Sequence, residues 1–201
     1  ARQGAMSTGY IVDPEARLAW EAGSAPAPLS DALSDAEAPP RTLVRFRGGA
    51  KEYVSEHTLD GKVVGLLFGA NGPFCAGFVR NFAKVYKAVK REESDPFEVV
   101  YVSADKSRRE FDRFVKGMPW LALPFRDNSL LFERFGVPND VRTWPKLVIL
   151  SPSNEVVFED AVPVAKKCVQ EKKPEAFGSV LASAWTQGKS FQRFEALFGP
   201  W

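Results

Sequence analysis

Val63-Val64-Gly65-Leu66-Leu67-Phe68-Gly69-Ala70-Asn71-Gly72-Pro73-Phe74-Cys75-Ala76-Gly77-Phe78 is the stretch on which the reading of this chain turns. Val63 to Phe68 is an apolar run without alternation, as expected of a central strand covered on both faces. Gly69 to Pro73 reads as a tight turn. From Cys75 onward Phe78, Phe82, Val85, Tyr86 and Val89 recur at helical spacing, with Arg80, Lys84, Lys87 and Lys90 between them. The helix is expected to end near Glu93, before Pro96. A cysteine that opens a helix after such a turn is a candidate for thiol chemistry. A Cys-x-x-Cys pair, however, needs its attacking thiol three positions before Cys75, and that position is Gly72.

Upstream, Leu43 to Phe46 alternates like a strand, Gly48-Gly49 makes a turn, and Lys51 to Val54 returns as its hairpin partner. Downstream, Phe97 to Ser103 is the next strand. Ser107 to Lys116 is the next helix, with Phe111, Phe114 and Val115 on one side. Strand and helix alternating in this way imply parallel strands joined by crossovers. Met118 to Phe125 is an extended apolar connection, Ser129 to Phe135 a short helix, Lys146 to Leu150 a strand, and Glu155 to Phe158 its hairpin partner. Pro174 to Gly188 closes the domain as a helix with Phe177, Val180, Leu181, Ala184 and Trp185 on one face.

The ends differ from this middle. Residues 1–40 are rich in Ala, Pro, Ser and acids and read as an extended arm, with Trp20 as an anchor. Residues 41–188 form the domain. Residues 189–201 form a tail in which Phe191, Phe194, Phe198 and Trp201 are spaced about one helical turn apart. An arm of this composition has too little apolar surface to offset its own ordering entropy, and an aromatic terminus is an unusual thing to leave in water. Either the arm and tail pack on the chain's own domain, or a partner covers them; on the second reading Trp20, Phe191, Phe194, Phe198 and Trp201 are the candidate partner-binding residues. The expected partners are other protein subunits of a large assembly.

Composition narrows the function classes. Of 201 residues, 45% are hydrophobic and 26% charged, which is the balance of a globular protein. With 27 basic against 25 acidic residues the net charge is only +2, too small a field to hold a phosphate backbone, so nucleic acid is not expected. Two cysteines, Cys75 and Cys168, and the single His57 are too few for a closed zinc site, and neither a metal nor another cofactor is expected. No apolar run approaches the ~20 residues that span a bilayer. The sparse cysteines favour an intracellular setting. A chain that starts at Ala1 rather than Met is expected either to have lost a presequence, which points to a mitochondrion, or to be numbered from inside its gene product.

Three readings of Cys75 stay open on the residues alone: a small buried apolar group at a helix start, a lone attacking thiol resolved by an external one, or a cross-linking or sensing thiol paired with Cys168 or a partner. Trp120 and Trp144 read as core aromatics, with a peptide-docking groove beside Pro145 as the alternative. His57 reads as a solvated turn residue. Asp105, ahead of Lys106, Arg108, Arg109 and Glu110, reads as the polar start of a helix.

From about Leu43 to Lys172 the chain resembles the tryparedoxin and nucleoredoxin branch of the thioredoxin superfamily. The strand from Val63 to Phe68, Cys75-Ala76-Gly77-Phe78, Met118-Pro119-Trp120-Leu121-Ala122-Leu123-Pro124-Phe125 and Trp144-Pro145 carry the likeness. The resemblance implies an α/β, thioredoxin-like three-layer sandwich, a mixed central sheet flanked by helices, with Pro145 as a cis-proline beside the turn. Members of the family reduce disulfides with a Trp-Cys-Pro-Pro-Cys turn. Laying that motif on this chain puts Gly72, Pro73, Phe74 and Cys75 beneath it, with Asn71 in place of the tryptophan and Lys146 where threonine usually follows the proline. The expectation is a vestigial redox turn with no catalytic residue, in a redox-inactive accessory or scaffold subunit. The alternative is a monothiol disulfide oxidoreductase using Cys75.

Overall fold

The structure, a computed structural model, describes residues 42–91, 97–125, 128–137, 143–152 and 154–187. Trp20, Phe191, Phe194, Phe198 and Trp201 lie outside these residues, and so do the arm, the tail and the loop 138–142.

Seven strands form one sheet: β1 (Thr42–Arg47), β2 (Ala50–Ser55), β3 (Val63–Gly69), β4 (Phe97–Ser103), β5 (Leu121–Ala122), β6 (Lys146–Leu150) and β7 (Val156–Phe158). Their order across the sheet is β2-β1-β5-β4-β3-β6-β7. Among the described residues the α-helices are α1 (Pro73–Val89), α2 (Arg108–Val115), α3 (Ser129–Arg134), α4 (Val162–Gln170) and α5 (Ala176–Gln187). The sheet is mixed. β3 and β4 run parallel from Val63↔Phe97 to Gly69↔Ser103, joined through α1, whereas β6 lies antiparallel on the other side of β3. Every residue of β3 and β4 is buried, which explains why neither strand alternates.

Two apolar clusters use the alternate residues of these strands. Val63 and Leu67 of β3 pack with Phe78, Phe82, Val85 and Val89 of α1, and with Cys168 and Phe177 of α4 and α5. Val64, Leu66 and Phe68 pack with Leu131 and Phe132 of α3, and with Trp144 and Cys75. The layering of helices on both faces follows directly from the period of two in a strand.

The structure adds to the sequence reading at several points. α1 begins at Pro73 and ends at Val89, shorter than the expected end near Glu93, because Lys90 already caps it. Met118 to Phe125 is not wholly irregular: Leu121–Ala122 pairs with both β4 and β1 and so joins the N-terminal hairpin to the parallel strands. α4 was not expected, since Pro163 masks a helix unless it is read as a first-turn proline, which it is. A short 3-10 helix, Glu56–Leu59, occupies the turn before β3 and carries exposed His57, whose Nδ1 lies 3.0 Å from Asp60 Oδ2.

Candidate functional site

β3 delivers the chain to the carboxyl end of the sheet, and α1 leaves from it. Gly72 is the N-cap residue of α1, with φ −170° and ψ 165°, an extended conformation open to any residue type. It offers no capping side chain. Its carbonyl accepts the first helical hydrogen bond from the Ala76 N–H at 2.9 Å, while Pro73 occupies the first turn, where a missing N–H is harmless. Asn71 and Pro73 are exposed, and Phe74, at 72% exposure, is the most exposed large apolar residue among those described.

Cys75 faces the other way. It is only 4% exposed and packs beneath the end of β3, where a Cβ placed on Gly69 would stand 2.8 Å from its Sγ. Glycine at 69 is what allows the thiol this close. Burial pushes the Cys75 pKa up; a hydrogen bond from the Ala70 backbone opposes this, and the nearby Asp105 charge adds to the upward shift. A group kept as a thiol is neither a good nucleophile nor a good metal ligand.

Asp105 is the residue whose role the sequence reading missed. Ser107, not Asp105, caps α2, accepting the Glu110 N–H at 3.3 Å. Asp105 instead reaches back under the turn. Its Oδ1 accepts the Asn71 N–H at 2.6 Å, and its Oδ2 accepts the Ser103 hydroxyl at 2.7 Å. Ser103 Oγ in turn accepts the Asp105 N–H at 2.9 Å. Tyr101 lies alongside: its hydroxyl donates to the Gly69 carbonyl at 2.9 Å, with Asp105 Oδ2 a longer 3.4 Å away. Burial, then the charges of Asp105 and Cys75, hold the Tyr101 pKa well above its usual value. The turn is thus held from below by Asp105 and Tyr101, which bond the two ends of Gly69-Ala70-Asn71. The only sequence signal was a short polar residue just past a strand end, facing a glycine-rich turn.

Pro145 sits where the resemblance implies. The Trp144-Pro145 peptide bond is cis, and Phe68↔Lys146 is the last pair of the β3–β6 ladder, so the next pair along sets Pro145 opposite Gly69. Pro145 is buried. Lys146 turns away from the thiol, its Nζ donating to the Phe135 and Gly136 carbonyls at 3.4 and 3.3 Å.

Trp120 and Trp144 are core aromatics, as expected, and two of the alternatives left open on the residues alone are closed. Trp120 and Trp144 do not share a groove. Trp120, 1% exposed, packs on Phe82 and Tyr86 in one cluster, and Trp144, 8% exposed, packs on Phe132 in the other, so the sheet separates them. Cys75 and Cys168 likewise belong to different clusters; both are free, and an internal pair would need the core to open. Burial, reinforced by Glu171, pushes the Cys168 thiol up to about 11.

The fold agrees with what the chain is similar to. A thioredoxin-like family profile matches residues 61–156. A probable nucleoredoxin 2 from Oryza sativa subsp. japonica is 42% identical over 118 residues, covering 57% of this chain and 28% of the relative. The nucleoredoxin of Xenopus laevis is 38% identical over 119 residues, 57% of this chain and 27% of that one. The chain therefore spans under a third of the length of these curated relatives. Among solved structures, tryparedoxin II from C. fasciculata matches with a TM-score of 0.54 and 31% identity over 69% of this chain and 90% of that one. A thioredoxin-like α/β fold with a mixed sheet between helices is what these matches share. The chain belongs to the tryparedoxin/nucleoredoxin branch of the thioredoxin-like family.

Proposed function

We propose that this chain carries the thioredoxin-like architecture of its relatives without dithiol–disulfide exchange, and works as a protein-binding accessory or scaffold subunit of a larger, mitochondrial assembly. One observation carries the first half: the thiol that remains, Cys75, is buried against Gly69, and the half-buried N-cap position that would bear an attacking thiol is Gly72. Exchange requires an accessible thiolate and a second thiol that releases the mixed disulfide. A glycine N-cap supplies neither. The second half is supported by Phe74, an aromatic ring held in solvent on the first turn of α1, and by the composition of the arm and tail.

The test is alkylation of the native full-length chain at neutral pH, read by mass spectrometry, together with the native mass of the protein isolated from its source. The proposal expects Cys75 to label only on unfolding, and the chain to travel with other subunits. Rapid labelling of Cys75 would support the monothiol oxidoreductase instead, and a free monomer in the source would remove the accessory role.

A further inference from the structure

A second site lies at the far end of α1, on the opposite pole of the sheet from Cys75. There Arg45 of β1, Lys62 just ahead of β3, and Lys87, Lys90 and Arg91 at the end of α1 line an open cleft of about 520 Å³. Among the described residues that line the cleft, the one carboxylate is Glu98. It is only 6% exposed and is already occupied, accepting the Tyr86 hydroxyl at 2.7 Å, the Val99 N–H at 2.9 Å and Lys90 Nζ at 3.2 Å. Glu98 therefore balances Lys90, and Arg45 is paired with Glu52 of the neighbouring strand, so the positive character of the cleft rests on Lys87 and Arg91.

Cations near a helix C-terminus have an ordinary explanation, since they offset the negative end of the helix dipole. That accounts for Lys87 and Lys90. It does not account for Arg45, which comes from a strand on the other side of the cleft. Its Nη2 donates to Glu52 at 3.2 Å, but its Nε is buried and has no hydrogen-bond partner. A desolvated guanidinium N–H without an acceptor is unfavourable, and a two-oxygen anion is the group that matches a guanidinium edge.

We propose that this cleft binds a small phosphorylated molecule carrying at least two ionised phosphate groups. Arg45 anchors one group through its unsatisfied edge, and Lys87 and Arg91 neutralise the other as it lies along the end of α1. Multiple negative charges are needed because Lys87 and Arg91 are exposed to water and each contributes little singly. The volume fits a ligand of that size, and the Tyr86 ring and Pro119 provide an apolar wall for whatever the phosphates are attached to. This reading is independent of Cys75.

The experiment is calorimetric titration of the full-length chain with inorganic tripolyphosphate at low salt. The expected result is saturable one-site binding. It should weaken about tenfold or more in Lys87→Gln/Arg91→Gln, whose residues are exposed on the last turn of α1 and just beyond it and leave the core untouched, and similarly in Arg45→Gln. Lys172→Gln, a cation at the end of α4 outside the cleft, should bind as the parent does. No saturable binding, or an equal loss in Lys172→Gln, would overturn the proposal in favour of diffuse surface charge. Binding that emerges only after Glu92→Gln/Glu93→Gln/Asp95→Asn would also overturn it, by assigning the cations to the chain's own acidic stretch after Arg91.

Discussion

The Cys75 thiol fills the space that a side chain on Gly69 would need. A Cβ at 69 would approach Sγ to 2.8 Å but the Cys75 Cβ only to 3.8 Å, so the conflict is with the sulfur alone. Gly69→Ala should therefore destabilise the fold by about 1–3 kcal/mol, as overpacking does. In a Cys75→Ala background the same change should cost much less. Denaturant unfolding of the four chains gives the coupling, and simple additivity would mean that the two residues do not compete for that space.

Asp105 acts on the same thiol from a distance. Its carboxylate adds to the upward shift of Cys75 and pins the turn through the Asn71 N–H at 2.6 Å. Asp105→Asn keeps an acceptor for that N–H but removes the charge. The pH midpoint of the Cys75 Cβ chemical shift, followed by NMR in the folded chain, should move lower, with a loss of about 1–2 kcal/mol of stability from the weakened hydrogen bonds. An unmoved midpoint would show that burial alone sets the thiol.

Cys168 makes a separate statement about alkaline stability. Its pKa is raised from 9.0 to about 11, so between those values the folded chain holds a proton that the unfolded chain has lost. Stability is then fully present below pH 9.0 and falls as pH rises toward about 11. The fall should amount to roughly 2–3 kcal/mol. Cys168→Ala should flatten that part of the profile even though the cavity it leaves lowers stability at every pH. A slope unchanged in Cys168→Ala would place the alkaline sensitivity elsewhere.

Phe74 should matter to partners and not to folding. With 72% of its surface exposed, Phe74→Ser is expected to change stability by no more than about 0.5 kcal/mol. The same substitution should reduce co-purification of the chain with its subunits. Undiminished co-purification would take the turn out of the binding surface.

The fold was legible where burial leaves a one-dimensional trace. β3, β4, β6 and α1 were found because a strand buried on both faces is continuously apolar and a helix with one buried face repeats every turn. β5 was not, because a two-residue strand has no period, and α4 was not, because Pro163 reads as a breaker until the helix start is seen. At the site, Gly72 and Cys75 could be assessed from spacing alone, and their contrast of half-buried backbone and buried thiol follows from one helical turn. Asp105 could not, since its partner Asn71 is far away in sequence and meets it only because β3 and β4 run side by side. That Trp120 and Trp144 are core aromatics was legible from their apolar surroundings, but that they lie in different clusters was not, since the sheet that separates them is assembled from distant strands.

The central claim is that this turn lacks disulfide exchange for want of one sulfur, and Gly72→Cys tests it. The position is prepared for a side chain: its backbone is extended, and a Cβ there meets nothing closer than the Ala70 carbonyl oxygen at 4.0 Å. A thiol so placed would be outermost at a helix N-terminus, with Cys75 behind it to resolve. Insulin-disulfide reduction by the full-length chain should be absent in the parent and appear in Gly72→Cys. Reduction by the parent that is lost in Cys75→Ser would contradict the account, and so would a folded Gly72→Cys chain that remains inactive.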